Sequence, residues 1–158
     1  MLNRSQYEYL IYPLPTRYHA IRMSTLVLAP PGLDTARLTG FLTFGTNVVL
    51  CIYEVLDFQQ GIIIAYRYEL SHCHPPFIEK PLPDAETYCR AHYADKDKVC
   101  WYDSWPHPND TTLTATAPHH KHIHPDIKHH RVPAPGLSFT EPNLPFLIRE
   151  VEQMLQNE

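Results

Sequence analysis

The sequence predicts an α+β fold: an antiparallel β-meander with a C-terminal helix packed on one face and a loop-rich His/Pro segment. Three observations carry that prediction. Four apolar segments rich in β-formers follow one another between residues 20 and 70, and their connections are too short for helical crossovers. Apolar residues recur at helical spacing most clearly at the end of the chain, at Leu144, Ile148, Val151 and Leu155. Twelve of the sixteen prolines lie between Pro75 and Pro145, so regular structure there must be short. With 158 residues, 44% of them hydrophobic, the chain suits one domain spanning 1–158.

Residues 1–18 contain Tyr12-Pro13-Leu14-Pro15 and predict an extended N-terminal arm. Ala20 to Leu28 predicts a strand that stops at Pro30-Pro31. Leu38 to Phe44 and Val48 to Phe58 form a hairpin across Gly45-Thr46-Asn47. Gln59-Gln60-Gly61 then turns the chain into Ile62 to Leu70. Beyond Ser71 the composition changes. Asp84 to Tyr93 predicts a short helix with Asp84 as N-cap and Glu86 in its first turn. Lys98 to Ser104 predicts a further strand. The final helix has Asn143 as its cap, and Pro145 falls in the first turn, where a missing N–H costs little.

Charge and composition exclude several classes. Thirteen Lys and Arg against seventeen Asp and Glu give a net charge of −4, which argues against binding polyanions by bulk charge. Eleven histidines, seven of them between His107 and His130, make the sign of that charge depend on pH near neutrality. No stretch approaches the roughly 18 apolar residues of a membrane span. The first residues lack a signal peptide's apolar block, so a cytoplasmic location is expected. The four cysteines form no CxxC pair; Cys51 reads as a small buried hydrophobe, and no disulfide framework is expected.

Three groups of residues carry chemistry. The first is Pro118-His119-His120-Lys121-His122, preceded by Trp101-Tyr102-Asp103-Ser104-Trp105-Pro106-His107. Histidines near a pKa of about 6.5 supply both a base and an acid, and a neighbouring lysine supplies positive charge for a developing phosphorane. This is what metal-independent RNA cleavage needs; the competing reading is a solvated or adventitiously metal-binding His tract. The second is Glu54, which ends the apolar row Val48, Leu50, Ile52, and Arg67, which shares a face with Ile63, Ala65 and Glu69. The two read as cross-strand neighbours, as an ion pair or as part of a site, with Tyr66 and Tyr68 on the other face available for stacking on bases. The third is Cys73, His72 or His74, Cys89 and His92, a possible zinc clip whose simpler reading is a set of surface residues. No cofactor is expected.

Gly40-x-Leu42-x-Phe44, a strand carrying Tyr53-Glu54, Tyr66-Arg67-Tyr68, the Trp101-Tyr102-Asp103 strand, Pro106-His107, the PHHKH block and an amphipathic C-terminal helix follow in order. In that order they resemble the TumE-like toxin family of toxin–antitoxin modules, over about residues 38–156. The resemblance marks Glu54, Tyr66, Arg67, Tyr68, Asp103, His107, His119, His120, Lys121 and His122. It implies a small cytoplasmic toxin neutralised by a cognate antitoxin, often a helix-turn-helix protein. Residues 71–97 depart from it as an insertion between strands, and Asp103-Ser104 stands where the family has Asp-Asn.

Together these readings predict a toxin acting as an endoribonuclease. His119, His120, Lys121, His122, His107, Glu54 and Arg67 are its catalytic candidates; Tyr66, Tyr68, Asp103 and Trp101 are its substrate-binding candidates. Partners would be RNA and the antitoxin, with a homodimer possible and no membrane. The competing readings are metal-dependent hydrolysis through Glu54, Asp103 and His ligands, and a non-catalytic binding or assembly subunit on the same fold.

Overall fold

Alternating apolar residues in the first half of the chain build one antiparallel sheet. A computed structural model describes residues 2–29, 32, 34–45, 47–73, 97–105 and 111–157. Its strands are β1 (Ile21–Ser24), β2 (Val27–Ala29), β3 (Thr35–Phe44), β4 (Val48–Asp57), β5 (Ile62–His72), β6 (Lys98–Asp103), β7 (His120–Ile123) and β8 (Arg131–Pro133). They pair in the order β1-β3-β4-β5-β6-β7-β8, with β2 also on β3. The helices are α1 (Arg4–Ile11), α2 (Leu14–Arg17) and α3 (Leu144–Gln156). The α+β class and the meander are as predicted. The predicted helix over 84–93 lies outside the described residues.

The register separates the two faces. Leu38, Glu54 and Tyr66 lie in one cross-strand row, and Ile52, Tyr68, Tyr102 and Lys121 in the next. This face carries the core, where Leu38, Leu42, Phe44, Leu50 and Leu56 join Tyr7, Ile11 and Leu14 of the first two helices and Leu144, Leu147, Ile148 and Val151 of α3. Each such aliphatic side chain contributes about 1.5–3 kcal/mol by burial. The opposite face carries Tyr53, Arg67, Asp103 and His120 in one row, and Cys51, Glu69, Trp101 and His122 in another.

Several local expectations are corrected. The N-terminal arm is helical, because Asn3 accepts hydrogen bonds from the Ser5 and Gln6 N–H groups and starts α1. Pro13 falls at the break between α1 and α2, and Pro15 in the first turn of α2, where neither costs a helical hydrogen bond. Ala20 to Leu28 is two strands, broken where Thr25 and Leu26 cross over Gly40. The PHHKH block is largely a strand: its last three residues begin β7 and pair with β6. Asn143 makes no side-chain cap bond to α3; its amide binds Ser138 and the Tyr68 hydroxyl instead. Cys51 is disulfide-bonded, where a lone buried thiol was expected.

Candidate active site

β6 and β7 present Asp103, His120 and His122 from adjacent strands on one face. Asp103 and His120 are directly paired, and His122 follows two residues on, as strand periodicity requires. The carboxylate binds both imidazoles: His120 Nε2 lies 2.7 Å from Oδ1 and His122 Nε2 3.2 Å from Oδ2. Trp101 Nε1 donates to Oδ2 at 3.2 Å, and the Trp105 N–H to Oδ1 at 3.1 Å. Burial pushes the Asp103 pKa up, but the hydrogen bonds from His120 and His122 outweigh it and hold this carboxyl well below the usual range. Both histidines are 2% exposed, while Asp103 is 18% exposed and forms the open side of the cluster.

His122 is held from three sides. Its Nδ1 donates to the Ile127 carbonyl at 3.0 Å, its ring stacks on Trp101 at 4.2 Å between centroids, and Arg131 Nε lies 3.3 Å from its Nε2. Arg131, on β8 and paired with His122, was not singled out in the sequence. No local pattern marks it, since its place follows from β8 joining the sheet edge. Arg67 is the register partner of Asp103 and belongs to the same face. Asp103, His120 and His122 are also the residues whose ligand atoms come within 4.8 Å of one another, a geometry able to hold a metal ion.

The other candidates lie elsewhere. Glu54 is fully buried on the helix face and pairs with Tyr66; it is not a cross-strand neighbour of Arg67. Tyr68 donates to Glu54 Oε1 at 2.6 Å and Tyr7 donates to Oε2, so α1 closes over the carboxyl. Tyr66 and Tyr68 are buried and stack on each other at 4.9 Å, which leaves no ring face for a base. Lys121 is ion-paired with Glu150 of α3 on that same side. His119 sits half-buried at the rim, its Nδ1 2.7 Å from the Tyr66 hydroxyl and its ring against Phe139. Burial, and then the nearby His120, lower its pKa. Among the zinc-clip residues Cys73 is buried, whereas His74, Cys89 and His92, like His107, lie outside the described residues.

Burial raises the Glu54 pKa, and the two tyrosine hydrogen bonds offset this only in part. A carboxyl with a raised folded pKa contributes stability that is full below its unfolded value and is lost as pH rises through the folded one. In Glu54→Gln the amide cannot ionise. Thermal melts at pH 5 and pH 8 should therefore show the wild-type advantage over Glu54→Gln shrinking at the higher pH. An unchanged difference would mean that Glu54 ionises as readily folded as unfolded.

A family model described as Toxin TumE matches residues 76–155, a little over half of the chain. That stretch contains β6, β7, β8 and most of α3, hence Asp103, His120, His122 and Arg131. Searches of curated proteins and of solved structures give no match. Among the described residues no helix is long and apolar enough to cross a membrane.

Proposed function

The chain belongs to the TumE toxin family, and on that premise we propose that it is a toxin that cleaves RNA at the Asp103–His120–His122 cluster. A toxin of this family implies a cognate antitoxin; a helix-turn-helix protein is the proposed type. The observation that supports RNA cleavage is the convergence of two imidazoles on one carboxylate beside Trp101 and Arg131. Arg67 and Arg131 beside this cluster place fixed positive charge where a phosphorane would develop. Arg67 and Arg131 bind phosphate oxygens, and the half-buried Trp101 borders the substrate. One of His120 and His122 takes the proton of the attacking 2′-hydroxyl, while His119 stands at the rim against Tyr66. The 2′-oxygen bonds to phosphorus as the P–O5′ bond breaks, and water gives the departing 5′-oxygen its proton, leaving a cyclic phosphate and a 5′-hydroxyl end. Glu54, Tyr66, Tyr68 and Lys121 form the supporting layer on the other face.

Purified chain, freed of antitoxin, should cut a mixed-sequence RNA oligonucleotide and leave its fully 2′-deoxy counterpart intact. Absence of products from folded protein, or equal cutting of both oligonucleotides, would overturn this mechanism.

A further inference from the structure

We propose that Asp103, His120 and His122 form a binding site for one divalent first-row transition ion such as Zn2+. The inference concerns the same cluster but rests on its geometry, not on RNA being the substrate.

Three observations converge. The ligand atoms of the three residues lie within 4.8 Å of one another, compact enough for small side-chain shifts to bring each to the roughly 2.0–2.2 Å that nitrogen and carboxylate ligands keep from zinc. The tautomer of His122 is set by its surroundings: the Ile127 carbonyl can only accept, so Nδ1 carries the proton and bonds to it at 3.0 Å. That is the backbone partner by which metal-bound histidines are commonly oriented. The other ring nitrogen, Nε2, lies 3.2 Å from Asp103 Oδ2. His120 Nε2 reaches the other oxygen of the same carboxylate at 2.7 Å, so both rings and the carboxylate aim one atom each at a common point. Both imidazoles are 2% exposed, so protein surrounds the ligand atoms on all sides but that of Asp103.

Two imidazoles and one carboxylate favour zinc and its neighbours over Mg2+ or Ca2+, which prefer oxygen ligands. A set of three protein ligands leaves a coordination position open, and the 18% exposed Asp103 marks the side facing solvent. Asp103 keeps the Trp101 and Trp105 donors on its oxygens, which fixes the carboxylate for coordination. Arg131 competes: its Nε reaches His122 Nε2 at 3.3 Å. It must swing outward when metal binds, and there it would face an anion on the open position.

The test is calorimetric titration of untagged, chelator-treated full chain with Zn2+, with Mg2+ as control. Wild type should bind Zn2+ at this site and not Mg2+. Asp103→Asn and His122→Ala should each weaken that binding by at least about tenfold, whereas His129→Ala on the exposed surface should leave it unchanged. Arg131→Met, which removes the competing cation and not a ligand, should tighten it. Titration with Co2+ supplies a second reading on wild type alone: visible bands of a nitrogen- and oxygen-ligated ion. Absence of Zn2+ binding, or binding unchanged in both ligand variants, would overturn the proposal. Neither result depends on whether RNA is cleaved.

Discussion

Asp103→Asn is expected to lower RNA cleavage by about 10²–10³-fold, the scale seen when a preorganised electrostatic group is removed from a transition state. The amide keeps the size of the carboxylate but loses its charge. It can no longer hold His120 and His122 together at 2.7 and 3.2 Å. Stability should also fall, by about 1.5–3 kcal/mol per charged hydrogen bond lost, so initial rates must be compared on protein that circular dichroism shows to be folded. Lys121→Met provides the contrast. Lys121 lies between the two histidines in sequence but points to the helix face, where Glu150 holds it. Its loss should leave cleavage within about threefold of wild type, the effect of a surface-type ion pair. A folded Asp103→Asn protein with the wild-type rate would move the site away from β6 and β7.

Gly40→Ala is expected to destabilise the fold by about 3 kcal/mol, lowering the melting temperature by roughly 6–12 °C. Gly40 has φ 141°, in the region that only glycine adopts freely. An added Cβ would lie 2.7 Å from the Thr25 carbonyl oxygen and 2.8 Å from the Leu26 Cα. Both are backbone atoms, and that backbone is fixed by the bonds between Thr25 and Phe41 in both directions. Relief therefore requires moving the crossing between β1 and β2. A melting temperature within 2 °C of wild type, by the same thermal melt, would show that this crossing yields freely.

Much of the sheet was legible because strands obey a local rule. The hairpin from Leu38 to Phe58 needs only alternation and the Gly45 turn, and Gly45 adopts φ 54° there. The N-terminal helices were misread because Tyr12-Pro13-Leu14-Pro15 resembles an extended segment. Burial of Tyr7, Ile11 and Leu14 on the sheet stabilises them, and that burial is non-local. The pairing of Glu54 with Arg67 failed by one residue of register, and a shift of one moves a side chain to the other face.

The candidate site divides in the same way. Residue types and order along the chain were enough to single out the histidine block, Asp103 and the toxin family, because both are properties of the sequence itself. Only the tertiary structure decided which of those residues meet. His120 and His122 join Asp103 on one face, while Lys121, Glu54, Tyr66 and Tyr68 belong to the other. The reason is geometric. A strand sends neighbouring side chains to opposite sides, and which side carries the core depends on how helices distant in sequence pack against it.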